Sequence, residues 1–211
     1  MRISGGEFRG RVLSVPKGLD VRPTQDRVRD ALFSMMQNDI RGARFLDLFA
    51  GSGSVGLEAL SRGAETVVFV EHAPRSLACL SRNIAILKVE DRSRVIRADV
   101  YTWLSAASNA SNCPNGLDST NGLNAPNGLN AVNGSNGLGF DIAYADPPYA
   151  VGAEHGYATM LVRLAEGGFV KPGGLFIAEM TSGQTPDSAP AWELCRDRTY
   201  GQTRLAIYRR R

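Results

Sequence analysis

Asp146-Pro147-Pro148-Tyr149 puts a carboxylate, two conformationally fixed residues and a flat aromatic face into four consecutive positions. Such a run suits chemistry at an amino group on a nucleic-acid base. That nitrogen is a poor nucleophile because its lone pair is delocalised into the ring. Attack on a sulfonium methyl requires it to move toward tetrahedral geometry. Acceptors placed at its hydrogens favour that change and accommodate the positive charge that develops. Asp146 supplies one acceptor and the backbone carbonyl of Pro147 a second, while the two prolines stiffen the loop that aims them. Tyr149 offers a stacking face to an extruded base, worth about 1–3 kcal/mol. Alignment would complete the catalysis, with no metal and no covalent nucleophile. Taken alone, an Asp-Pro-Pro run is more often an ordinary turn.

A second constellation gives that run a context. Gly51-Ser-Gly-Ser-Val-Gly56 satisfies G-x-G-x-x-G, and Glu71 follows twenty residues after Gly51. Glycines at Gly51 and Gly53 let backbone approach a ligand closely, and a carboxylate such as Glu71 accepts both ribose hydroxyl hydrogens. The same pattern serves nicotinamide and flavin dinucleotides, so a nicotinamide-dependent oxidoreductase is a serious rival. Asp47 and Asp99 weigh against it. Asp47 could meet a cationic amino group, which an anionic pyrophosphate does not need, and Asp99 lies where an adenine amino group could be reached. Either carboxylate alone could equally be a turn or cap residue.

These residues need elements to position them. Phe45-Leu-Asp-Leu-Phe49 reads as a short apolar strand ahead of the glycine turn, and a helix starts at Leu57 and stops at Gly63. Thr66–Glu71 and Arg94–Asp99 read as strands, with a helix from Pro74 to about Leu87 between them. Phe140–Ala145 is a fourth strand running into Asp146, followed by a helix near 154–166 and a strand from Gly173 to Glu179. Strands near 192–199 and 203–209 flank Gly201 as an antiparallel pair. Alternation of this kind indicates an α/β fold with a mostly parallel, doubly wound sheet. In such sheets ligands bind beyond the carboxyl ends of the strands, where the glycine turn and the Asp-Pro-Pro run both fall.

Ahead of this core, Gly5-Gly6 with Phe8, Val12, Leu13 and Val15 predicts a small β-hairpin. Pro23-Thr24 then opens a helix with Val28, Ala31, Leu32, Met35 and Met36 on one stripe and Arg27 and Asp30 away from it. The expected organisation is a hairpin extension over 1–22 and one domain over 23–211. An Asn/Gly-rich insertion interrupts that domain at about 105–139, where Asn115-Gly-Leu recurs with a six-residue period. One leucine per repeat is too little for a repeat protein.

The 211 residues, 43% hydrophobic and 21% charged, suit one globular domain. No apolar run approaches membrane-spanning length, so no membrane partner is expected. Cys79, Cys113 and Cys195 are odd in number and scattered, which argues against a disulfide framework and for a cytoplasmic location. Isolated His72 and His155 make a metal pair or catalytic dyad improbable, and Glu58 steadies its helix rather than touching ligand. The net charge of +3 conceals +4 over residues 1–44, −6 over 45–195 and +5 over 196–211. Basic ends around an acidic middle suit a polyanion partner, or simply a soluble surface.

Three blocks carry a resemblance over almost the whole chain. They are Arg2-Ile-Ser-Gly-Gly-Glu-Phe-Arg-Gly-Arg11, Arg22-Pro-Thr-Gln-Asp-Arg-Val-Arg-Asp-Ala-Leu-Phe33 and Phe45-Leu-Asp-Leu-Phe-Ala-Gly-Ser-Gly-Ser-Val-Gly-Leu-Glu-Ala-Leu-Ser-Arg62. They closely resemble the RsmD family, whose members are bacterial 16S ribosomal RNA guanine-N2 methyltransferases. The resemblance implies a Rossmann-like class I S-adenosylmethionine-dependent methyltransferase with a seven-stranded sheet, helices on both faces and a small N-terminal hairpin. It implies a guanine amino group as acceptor and 16S rRNA in an assembling small ribosomal subunit as partner; a monomer is expected. Carried over by position, Gly51, Gly53, Glu71 and Asp99 line the cofactor site, joined by Asp47, and Asp146 to Tyr149 hold the guanine. Arg9, Arg11 and Arg22 are the candidates for phosphate contact, although Arg22 could equally form an internal ion pair. The Asn-Gly repeat departs from the family pattern. Asp-Pro-Pro-Tyr is shared with DNA enzymes acting on adenine N6 or cytosine N4, so that target class stays open, as does a non-catalytic assembly factor using the basic ends.

Overall fold

A computed structural model of the chain describes residues 1–16, 23–110, 139–148 and 156–211. Its elements are α1 (Pro23–Met35), β1 (Arg44–Leu48), α2 (Ser54–Ser61), β2 (Thr66–Glu71), α3 (Pro74–Leu87), β3 (Ser93–Arg97), α4 (Val100–Ala110), β4 (Phe140–Ala145), α5 (Tyr157–Glu166), β5 (Val170–Thr181), β6 (Trp192–Tyr200) and β7 (Thr203–Arg210). All seven strands join one sheet in the order β3-β2-β1-β4-β5-β7-β6. Neighbours are parallel except at β7, which runs antiparallel to β5 and β6.

The central strands are apolar on both faces because both faces are covered. Phe45, Val67 and Phe69 point into one core with Leu32 of α1, Leu57 of α2 and Ile84 of α3. Leu46, Val68 and Val70 point into the other with Leu104 of α4 and Met160 and Leu161 of α5. Against that background Asp47, a carboxylate in the middle of β1 and 1% exposed, is the position that requires an explanation.

The chain leaves β1 toward β2 on one side and returns to β4 on the other. Asp47 pairs with Tyr144 and Leu48 with Ala145, so the carboxyl ends of β1 and β4 open side by side. This reversal of strand order creates a crevice between the glycine turn and the Asp-Pro-Pro run.

Residues 1–13 fold back through one antiparallel bridge, Arg2 to Val12, flanked by Ile3 N–H to the Arg11 carbonyl (3.0 Å) and Leu13 N–H to the Met1 carbonyl (2.9 Å). Among the described residues of this segment the pairing is that one bridge rather than a regular ladder. What holds the segment is α2. Glu58, fully buried, accepts Ser4 N–H (2.9 Å), Ser4 O–H (2.8 Å) and Gly5 N–H (2.8 Å) and pairs with Arg62 (2.8 Å) and Arg29 (3.4 Å).

Two further departures from the sequence expectation have local causes. β5 begins at Val170 rather than Gly173, because the pairing with β4 jumps from Phe140–Val170 to Ile142–Leu175 around Pro172-Gly173-Gly174. Helix α4, absent from the sequence reading, runs through Ala110 and so takes up the first residues of the expected insertion. The Asn-Gly-Leu repeats, Arg22 and Tyr149 lie outside the described residues.

Candidate active site

Asp47 anchors the floor of the crevice. Its Oδ2 accepts the Gly56 N–H at 2.9 Å, tying the strand to the first turn of α2. A Cβ on residue 56 would meet the Phe69 ring at 2.3 Å, so only glycine lets the helix come this close. Burial drives the Asp47 pKa up to about 7, opposed by the Gly56 hydrogen bond and assisted by the negative charge of Glu71. The carboxylate expected to meet a cationic group therefore also serves as the tie beneath the turn.

Above it, the turn is wound tightly. Gly53 precedes α2 at φ 82°, and no side chain caps that helix start. Phe49, a non-glycine residue, stands at φ 61° where the strand leaves the sheet. A bulky residue in the left-handed region is strained, and such strain concentrates at ligand-binding turns. Its ring lies 5.7 Å from that of Tyr101, packing where β1 ends. The sequence reading missed this pair, since nothing in the order of residues marks a left-handed Phe.

Glu71, at the end of β2, accepts three backbone N–H groups: Gly51 on Oε2, and His72 and Ala73 on Oε1, each at 2.7 Å. A carboxylate has about four acceptor positions, so Glu71 organises the turn and still keeps capacity for a ribose hydroxyl. Asp99 is exposed and caps α4, accepting the Thr102 N–H at 2.9 Å. The Ala98 N–H to Glu71 carbonyl bond (3.1 Å) brings this cap beside the end of β2. Asn83, fully buried in α3, was likewise unforeseen. It accepts the Ser14 N–H (2.7 Å) and donates to the carbonyls of Ser14 and Ser52 (2.9 Å each), joining the N-terminal segment to the glycine turn.

Asp146 leaves β4 one residue beyond Ala145, followed by buried Pro147 and exposed Pro148. It keeps an exposed edge, yet crowding in the crevice desolvates its carboxyl, and the charges of Glu179 and Asp47 add to that. Its pKa is pushed up to about 8, with no positive group among the described residues to offset the rise. Glu179 of β5 is held above the usual carboxylate range by desolvation, opposed by the Tyr144 hydroxyl, which donates to its Oε2 at 2.5 Å. The same surroundings lift the Tyr144 phenol well above its ordinary value.

Asp47, Gly51, Gly53 and Glu71 thus gather around one turn, with Asp146 across the crevice, while Asp99 stands at the neighbouring strand end. Arg9 and Arg11 are exposed on the N-terminal segment, docked on α2 by the Phe8 N–H to Ser61 Oγ bond (2.9 Å). A glycine cradle, a carboxylate with a spare acceptor position and a cluster of acids whose ionisation a nearby positive charge would favour suit a ligand combining ribose hydroxyls with a cationic centre. No group of three or more His, Cys, Asp or Glu suited to a metal ion occurs among the described residues.

Comparison with known proteins identifies the family and the fold. The family model described as "Conserved hypothetical protein 95" matches residues 1–115 and 111–209. The chain belongs to that family, the RsmD family. Among its relatives, the Bacillus subtilis "Putative rRNA methyltransferase YlbH" is 30% identical over the full length of both chains. Escherichia coli "Ribosomal RNA small subunit methyltransferase D" is also 30% identical, over 100% of this chain and 90% of that protein. The solved structure of the Escherichia coli putative methyltransferase yhhF superposes with a TM-score of 0.75 at 27% identity, covering 100% and 97% of the two chains. A Thermus protein of 30% identity gives 0.69 with 98% of each chain covered. The fold is accordingly the Rossmann-like class I methyltransferase fold, and the chain is a methyltransferase.

Proposed function

We propose that this protein transfers a methyl group from S-adenosylmethionine to the exocyclic N2 amine of a guanine in 16S rRNA of the small ribosomal subunit. The observation that carries the reading is the opening of Asp146 and Pro147 from β4 directly beside the Asp47 strand and its glycine turn. Relatives named as rRNA methyltransferases, matched over 90–100% of their length, support the RNA target.

Gly51 and Gly53 would admit the cofactor's backbone-proximal face, Glu71 its ribose and Asp99 its adenine edge. When bound, S-adenosylmethionine supplies an electrophilic methyl on a cationic sulfur. Asp146 accepts one hydrogen of the guanine amine and the Pro147 carbonyl accepts the other, which draws the nitrogen toward tetrahedral geometry and stabilises its developing charge. A carboxylate of raised pKa is also suited to take the proton that the alkylated amine must lose. Tyr149 would stack on the base, and Arg9, Arg11 and Arg22 would contact phosphates of an assembling subunit. The protein would act as a cytoplasmic monomer.

A labelled-methyl assay on small subunits lacking the modification, with mapping of the modified base, tests this reading. One N2-methylguanine in 16S rRNA is expected, lost in Asp146→Ala. Transfer to duplex DNA but not to subunits would assign the enzyme to the DNA amino-methyltransferases instead.

A further inference from the structure

The Asp-Pro-Pro run provides acceptors for any exocyclic amine and cannot by itself choose the base. Adenine, cytosine and guanine differ at the ring atom next to that amine. Adenine and cytosine present a lone pair there, at N1 or N3, whereas guanine presents the N1–H donor. A site selecting guanine therefore needs a second acceptor adjacent to the one that receives the amine.

The strand register provides one. Ala145 of β4 pairs with Ala178 of β5, so the next residues, Asp146 and Glu179, stand side by side at the mouth of the crevice. Glu179 is held from two directions. The Tyr144 hydroxyl donates to its Oε2 at 2.5 Å, and the Tyr157 hydroxyl bonds its backbone carbonyl. Tyr144 is fully enclosed beneath it, 3% exposed, and pairs across the sheet with Asp47. A glutamate fixed in this way is a positioned acceptor rather than a solvated surface charge.

We propose that Glu179, oriented by Tyr144, accepts the N1–H of the target base and thereby selects guanine. The inference rests on the guanine-N2 reading above and supplies its specificity. Asp146 and Glu179 receive neighbouring hydrogens on one base edge, the amine on Asp146 and N1–H on Glu179. Adenine or cytosine would turn a ring lone pair toward the carboxylate and be rejected. After desolvation, the adjacency also raises the Asp146 pKa in the free protein, and two donors presented side by side relieve that repulsion.

The probe is 16S rRNA carrying either guanine or 2-aminopurine at the methylated position, assembled into small subunits. 2-Aminopurine keeps the reacting amine but replaces N1–H by a lone pair and the 6-oxygen by hydrogen, so the change of preference in Glu179→Gln, not the wild-type preference alone, reports on N1. Wild type should favour guanine by about 100-fold or more in kcat/KM, as expected of a site that hydrogen-bonds its substrate. Glu179→Gln offers an N–H to the N1 lone pair and should shrink that preference to below about 10-fold. Tyr144→Phe should fall between the two. Each preference is a ratio within one variant, so a partial loss of folded protein cancels. An unchanged ratio in Glu179→Gln would overturn the role of Glu179 while leaving guanine-N2 methylation intact. If wild type methylates no guanine in the subunit, the underlying reading fails and the inference with it.

Discussion

Replacing Asp146 with Asn should flatten the pH dependence of methyl transfer. In the free protein the Asp146 pKa stands at about 8, raised by desolvation and by the charges of Glu179 and Asp47. Below that value the carboxyl carries its proton and cannot accept hydrogens from an amine with both oxygens. Around pH 6 about 1% would be ionised and around pH 9 about 90%, so kcat/KM should climb roughly 90-fold across that interval. Asn keeps one acceptor oxygen without titrating, so its activity should be lower at pH 9 and nearly level from 6 to 9. Single-turnover methyl transfer to small subunits, with enzyme in excess, separates this from product release. The stability consequence has a defined sign. A carboxyl whose folded pKa is raised contributes stability below its unfolded value near 3.8, lost as pH rises through about 8. Asp146→Asn should therefore melt above wild type at pH 8.5. A wild-type rate that is level across pH 6–9, or an Asn variant that keeps the full rise, would refute the assignment of Asp146 as the titrating acceptor.

Asp47→Asn should stabilise the fold increasingly with pH, because the Asp47 pKa of about 7 makes the ionised form costly in the core. Urea denaturation should show the advantage over wild type growing by about 2.7 kcal/mol between pH 5 and pH 8.5, provided the carboxamide oxygen keeps the Gly56 N–H. Glu58→Ala should destabilise by about 3 kcal/mol, since it frees Ser4 and Gly5, breaks the Arg62 pair and leaves the buried Arg29 with Asp26 as its one carboxylate. Hydrogen exchange should then accelerate at those two amides before it does in β1. Arg9→Ala and Arg11→Ala should each lower the slope of log affinity for subunit RNA against log salt by about 0.7–0.9, measured by filter binding over a salt series.

The parts of the site readable in sequence are those built from neighbours along the chain. Gly51, Gly53 and Gly56 answer a local demand for left-handed backbone and close approach, and Asp146-Pro147-Pro148 carries its own stiffness. Asp99 was legible as a candidate, and the local cap it makes with Thr102 marks the start of α4, whose periodicity the composition of the following insertion obscured. The N-terminal blocks were readable as family signatures, whereas their attachment to Glu58 and Asn83 spans 54 and 69 residues and left no local pattern.

What the order of residues alone determined was the succession of strands and helices, the glycine turn and the acceptor run, because backbone propensity and hydrophobic period are short-range properties. Tertiary structure decided which acids meet. Tyr144 and Glu179 are 35 residues apart, and Asp47 lies nearly a hundred before Asp146, yet the register of β1, β4 and β5 sets them at one crevice. A one-residue slip would turn every one of these side chains to the opposite face, so their shared electrostatics belong to strand pairing, which no window along the chain contains.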